Sequence, residues 1–163
     1  MTADDNLNPL SVFLDSGHPY APSDDIAGFL TLAIQLTTAV QDVHRRVPAH
    51  GALNPAIIFV AAPSGTPAAR QVQILDPHLA AARGLSTQLA YMAPEQTGRM
   101  NRTVDHRTDL YALGAIFYQA LTGRLPFPGR DLQALVYAHI ATKPIPPVQV
   151  RATLPRALSD MIL

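Results

Sequence analysis

"YMAPEQTGRMNRTVDHRTDLYALGAIFYQALTGRLPF" (residues 91–127) is the stretch on which the reading of this chain turns. Its second part, "RTDLYALGAIFYQALTG", is apolar on nearly every side, with Thr108 or Asp109 placed to cap it and Gly123 placed just beyond its end. A helix that is apolar all round is a buried one. This segment is therefore expected to be the central helix of a core.

Working outward, residues 77–105 show Pro, Gly and Arg in place of any sustained period, and read as irregular. An irregular stretch of that length in a compact chain is more often functional than accidental. Before it, "AIIFV" and "RQVQIL" are β-like runs joined by "AAPSGTPAA", whose Pro, Ser and Gly make a turn, so a small hairpin is expected. Further upstream, Ile26, Leu30, Ala33, Leu36, Val40 and Val43 recur at helical spacing. Ser23 is placed to cap that helix, Asp24 and Asp25 suit its positive end, and His44, Arg45 and Arg46 suit its negative end before Pro48. Residues 1–22 carry three prolines and the apolar patch "PLSVFL", which predicts a turn of helix in an otherwise poorly defined segment. Downstream, Asp131 opens a helix that Pro144, Pro146 and Pro147 stop, and a last helix begins near Pro155. The division expected is residues 1–22 as an N-terminal segment and residues 23–163 as one domain.

Composition narrows the function classes. At 163 residues, 48% hydrophobic and 15% charged, the chain is globular and long enough for one real core. Its formal net charge is zero and its arginines are scattered, so neither nucleic acid nor an anionic membrane surface is an expected partner. No apolar run reaches the roughly 20 residues of a membrane span, and the first residues are acidic where a signal peptide would be basic. With no cysteine there is no disulfide framework. A cytoplasmic location is the simplest expectation. Lys143 is the only lysine and Glu95 the only glutamate, so a mechanism that pairs a buried Lys with a Glu elsewhere cannot be carried by these residues alone.

The order of long helix, loop opening with His50, hairpin, irregular segment, Ala93-Pro94-Glu95 and buried helix resembles the C-terminal lobe of a eukaryotic-type protein kinase. Residues 91–127 carry the resemblance most specifically. They are similar to kinase-like modules at the N-terminus of multidomain sensor histidine kinases, which continue into ATPase-like and GAF regions. The resemblance covers roughly residues 10–163. It implies a mainly α fold with a small β-hairpin, a kinase-like C-lobe without its N-lobe, cut off at its C-terminal end.

Carried over position by position, the resemblance explains "HGALNPAIIF" (residues 50–59). Of the family's catalytic loop His50, Leu53 and Pro55 match, while Gly51 stands at the Arg, Ala52 at the catalytic Asp, Asn54 at the Lys and Ile57 at the metal-binding Asn. In the family's Asp-Phe-Gly triplet Asp76 matches, and Pro77 and His78 replace the other two. Gln88 stands at the threonine before the "AYMAPE" segment. A methyl group cannot orient the proton of an attacking hydroxyl, and losing a positioned base costs about 10²–10⁴ in rate. Ile57 offers no oxygen to magnesium, and Asn54 supplies no positive charge to a transferring phosphoryl group.

His50, Pro55, Pro94, Glu95, Asp109 and Gly114 then remain as structural framework. Asp76 is either a residual, weak metal ligand or an ordinary turn or cap acceptor after a strand. The six histidines show no metal-site spacing. Ser86 and Thr87 lie where kinases carry activation-loop phosphosites, although the usual phosphate partner is replaced by Gly51. Arg99 and Arg102 are candidates for binding a partner's acid or phosphate. Glu95 is expected either to lack a buried partner or to sit more exposed.

The expected function is a catalytically inactive kinase-like module for interaction or regulation, with other signalling domains or proteins as partners and no cofactor. The rival is a fragment of a serine/threonine kinase that uses ATP and magnesium once completed by missing parts.

Overall fold

A computed structural model of the chain describes residues 7–14, 25–61, 72–84, 89–129 and 131–163. Strand β1 (Leu7–Pro9) and helix α1 (Leu10–Leu14) are followed by α2 (Ile26–His44), β2 (Ile58–Ala61), β3 (Val72–Ile74), α3 (Pro77–Ala82), α4 (His106–Thr122), α5 (Leu132–Ala141), α6 (Pro147–Val150) and α7 (Arg156–Ile162). Two 3₁₀ turns, Leu89–Tyr91 and Pro94–Thr97, lead into α4. The architecture is mainly helical with a small antiparallel sheet, as the kinase C-lobe resemblance implied.

The sheet has three strands in the order β1-β2-β3, not the two of the expected hairpin. β1 pairs with β2 through Leu7 opposite Ala61 and Pro9 opposite Phe59, and β2 pairs with β3 through Ile58 opposite Ile74. Three residues ending in proline carry almost no strand signal, and an edge is the one place such a strand fits. The short helix expected in "PLSVFL" is α1, whose Leu10, Phe13 and Leu14 are buried in the main core. Residues 7–14 are thus part of the same body as the rest. The "AAPSGTPAA" turn lies, apart from Ala61, outside the described residues.

α2 keeps the expected length, but its buried face is set by Phe29, Leu32, Leu36 and Val40, while Leu30 points outward at 43% exposure. Apolar residues lie on more than one side of α2, so spacing alone could not choose which side faces in. Asp25, whose carboxylate accepts from the Gly28 amide at 2.9 Å, is the cap in place of Ser23, which lies outside the described residues. α2 is long and apolar enough to cross a membrane by length and composition, yet here its inner face packs against α4 and β3.

α4 is the central helix. Ala112, Leu113, Ile116 and Leu121 are buried in the core, and the Phe29 and Phe117 rings meet edge to face with centroids 5.7 Å apart. Its cap is Asp105, accepting from the Arg107 amide at 2.9 Å, and not Thr108 or Asp109, which are buried in the first turn. Gly123 closes the helix in the left-handed conformation (φ +69°), as its position predicted. The segment from 77 to 105 is more ordered than its composition suggests: it holds α3 and both 3₁₀ turns. α5 begins at its Asp131 cap as expected, and α6, a single turn between prolines, was not foreseen.

Candidate functional site

The loop from His50 to Ile57 runs from the end of α2 into β2, and its geometry is dictated from beneath by one carboxylate. Asp109, 1% exposed on α4, accepts from the His50 amide at 2.7 Å and the Gly51 amide at 2.8 Å, and lies 2.7 Å from His44 Nε2. Three donors converging on a buried carboxylate satisfy its desolvation, and they pin the loop to the central helix. Gly51 has φ +71°, a left-handed backbone that suits glycine, and its carbonyl accepts from Gln96 Nε2 at 2.6 Å. Gln96 Oε1 in turn accepts from the Ala93 amide at 3.0 Å, so one side chain ties the 3₁₀ turn at Pro94 to the loop.

The remaining loop residues pack or turn. His50 is 5% exposed, and its Nε2 lies 2.8 Å from the Leu75 carbonyl after β3. Asn54 is 1% exposed; its carboxamide donates to the Ala52 carbonyl at 3.0 Å and accepts from the Ala56 amide at 2.9 Å, which makes it the hinge of a local turn. Leu53, Pro55 and Ile57 are buried, Ile57 completely. Ala52 is half-buried beside a cavity of about 50 Å³ that Gly51, Asn54, Tyr91, Gln96 and Thr108 help to line. That space takes a few waters at most, against the roughly 300–1,000 Å³ of small-molecule pockets.

Asp76 stands apart from this loop chemistry. It is exposed and N-caps α3, its carboxylate accepting from the His78 amide at 2.9 Å, with Pro77 in the first helical position. Among the described residues no three His, Cys, Asp or Glu side chains come together as a metal-binding group. The positions that the resemblance aligns with base and metal ligands present a methyl group, a buried isoleucine and one carboxylate already engaged in a cap.

Glu95 is half-buried and accepts from Thr108 Oγ1 at 2.5 Å. It faces a polar hollow of about 560 Å³ shared with Asn101, Arg102, Asp105 and Arg107. The Arg107 guanidinium hydrogen-bonds Asp105 and holds its carboxyl down to about 2. Arg99 and Arg102 are both exposed on the loop before α4. Gly114 lies on α4 near the end of α7, where an added Cβ would meet the Ile162 carbonyl at an ordinary 3.7 Å. Ser86, Thr87 and Gln88 lie outside the described residues.

Two anchors were not foreseen in these roles. His44 reads in the sequence as a helix-terminal cation, and Gln96 falls in the stretch read as irregular with no role of its own; each gains its role only from a partner far along the chain, 65 and 45 positions away. A second pair, half-buried Tyr111 and buried His139, lies behind the second 3₁₀ turn. Tyr111 Oη is 2.7 Å from His139 Nδ1, and the His139 ring stands against Phe127 with centroids 5.1 Å apart. Burial pushes the Tyr111 hydroxyl up to about 12 and holds the His139 imidazole below its ordinary value.

A helical body with a small sheet and a His-led loop locked onto its central helix is the layout that the kinase C-lobe resemblance implied. No protein-family model matches the chain. The serine/threonine-protein kinase Pkn1 of Myxococcus xanthus is 38% identical over 165 aligned residues, covering 95% of this chain and 22% of that protein. The DNA damage-responsive serine/threonine-protein kinase RqkA of Deinococcus radiodurans is 33% identical over 149, covering 85% of this chain and 21% of its own length. Hybrid signal transduction histidine kinase G of Dictyostelium discoideum is 43% identical over 72, which is 44% of this chain and 2% of that protein. The chain is a protein-kinase-like domain related to bacterial serine/threonine-protein kinases. It spans about a fifth of the length of the curated relatives that it matches along most of its own.

Proposed function

We propose that this chain is a catalytically inactive kinase-like module that serves protein interaction or regulation within a signalling protein. The observation that carries the reading is a loop held in place at every step yet apolar where phosphoryl transfer needs charge. Asp109, itself contacted by His44, and Gln96 fix its backbone at His50 and Gly51, while Ala52 stands at the base position and Ile57 is wholly buried. Loss of the base alone is worth about 10²–10⁴ in rate, and Ile57 removes an oxygen ligand for magnesium as well. Neither ATP nor magnesium is a cofactor in this reading. The partial likeness to a hybrid histidine kinase supports a phosphorelay setting, and a cytoplasmic location is part of the proposal. Partners are other signalling domains or proteins, and the exposed Arg99 and Arg102 are the side chains placed to meet an acidic or phosphorylated group on one of them.

The relatives named serine/threonine kinases favour one second reading, a kinase segment that transfers phosphate from ATP when completed by parts beyond these residues. A thermal-shift titration with ATP and magnesium separates the two, because a ligand that binds only the folded state raises the melting temperature. The expected result is a cooperative melt that does not move at millimolar nucleotide. A magnesium-dependent rise would overturn the inactive reading, and phosphotransfer by the A52D variant would then test the second.

A further inference from the structure

α5 is held to the rest of the domain by little. Its buried side chains are Leu135, Val136 and His139. Leu135, Val136 and the Phe127 ring that stands against His139 are all buried outside the main core that α2, α4 and the sheet share. The helix packs instead on the two 3₁₀ turns, Leu89–Tyr91 and Pro94–Thr97, and reaches α4 through the Tyr111–His139 bond. A helix of ten residues seated in this way, with Leu132, Tyr137 and Ile140 in water, belongs to the low-stability end of a fold. His139 is the centre of the seat and its weak point. The ring is 6% exposed, its Nδ1 lies 2.7 Å from Tyr111 Oη, and its Nε2 is buried with no hydrogen-bond partner. The Leu89 backbone is near enough to favour the protonated ring, but it does not stand in bonding geometry to Nε2.

We propose that His139 is a proton-operated latch: neutral, it holds α5 against the two 3₁₀ turns, and protonated, it lets α5 go while the rest of the domain stays folded. The neutral ring accepts the Tyr111 hydrogen at Nδ1. A protonated ring carries hydrogens on both nitrogens, so Tyr111 has to turn its own hydrogen away, and a charge sits where water does not reach. The groups that face the ring do little to hold that charge. Tyr111, from α4, is a phenol that burial pushes up to about 12 and that therefore stays neutral. Glu95, from the second turn, reaches Tyr111 with its field but is bonded to Thr108. The first turn offers the Leu89 backbone, and the loop before α5 offers the uncharged Phe127 ring. Protonation therefore favours the form in which α5 has left its seat and the imidazole is in water. Release uncovers Leu135, Val136 and both turns, an apolar surface present only in acid. The latch rests on the packing of α5 and not on the loss of catalysis, so the nucleotide titration is read separately from it.

Amide hydrogen exchange of the whole chain, followed by mass spectrometry at pH 7.5 and pH 5.5 and corrected for the intrinsic rate at each pH, is the test. α5 is expected to exchange through an opening that low urea hardly affects, because little surface is exposed, whereas the buried face of α2 exchanges through the strongly urea-dependent global unfolding. The released ring titrates near 6.5 and the latched ring lower, so the opening constant of α5 should rise about three- to tenfold between pH 7.5 and pH 5.5. In H139N, which has no imidazole, it should be the same at both. Y111F keeps the imidazole but loses the hydroxyl, so it should open more readily at pH 7.5 and still respond to acid. An α5 as slow and as urea-dependent as α2, a wild-type opening constant equal at the two pH values, or an acid response that survives in H139N would each overturn the latch. Should H139N fail to fold, the wild-type comparison of α5 with α2 and the Y111F response decide the matter without it.

Discussion

Replacing Asp109 by alanine should loosen the whole domain, although the residue touches no solvent. The carboxylate is 1% exposed and accepts from the His50 and Gly51 amides while contacting His44 Nε2. Its removal leaves two buried or half-buried backbone donors without an acceptor, at about 1–3 kcal/mol each, and a histidine without its partner. Relief from burying a carboxylate offsets part of that loss, so about 3–5 kcal/mol is expected in all. Urea unfolding followed by circular dichroism is the assay. With a slope of about 2 kcal/mol per molar, the midpoint should fall by about 2 M with the slope unchanged. The melting temperature should fall by about 10 °C at the roughly 2–4 °C per kcal/mol of a chain this size. A D105A control should fall much less, because it removes a cap at the solvent-facing end of the helix. A D109A variant within about 0.5 kcal/mol of wild type would refute the claim that this carboxylate holds the loop.

Three further outcomes follow from side chains elsewhere in the fold. His139 has its folded value depressed by burial, so its neutral form is the one the fold favours; stability is fully present above the unfolded value of about 6.5 and is lost as pH falls below it. Denaturant midpoints measured from pH 7.5 to pH 5 should therefore drop, and drop less in H139N. Tyr111 runs the other way: with its hydroxyl pushed up to about 12, its contribution is complete below about pH 10 and is lost as pH rises toward 12, which ultraviolet titration of the phenols can follow. The D76A variant should lose about 1 kcal/mol through the α3 cap while its response to magnesium stays that of the wild type; a change in that response would restore Asp76 as a metal ligand.

Much of the helical layout was legible in the sequence because its signals are local. Gly123 marked the end of α4 through its left-handed conformation, Asp131 marked the start of α5, and apolar residues on nearly every side of residues 107–123 marked burial. The misreadings occurred where local signals compete. Thr108, Asp109 and Asp105 all have the chemistry of a cap, and the choice fell to Asp105 because the core claimed the other two. β1 escaped notice because a three-residue strand has no pattern of its own and exists only through its pairing with β2.

The candidate site divides along the same line. That positions 52 and 57 offer neither a carboxylate nor an amide is legible from Ala52 and Ile57 alone, since no packing arrangement can give a methyl or a sec-butyl group that chemistry. What holds the loop in shape is not. The Asp109 carboxylate, the His44 ring and the Gln96 amide become anchors only when residues 45 to 65 positions apart are brought within hydrogen-bond reach. Side-chain chemistry belongs to each residue before folding, whereas the partner of a buried polar group, and the face of α2 that meets the core, exist only once the chain has packed.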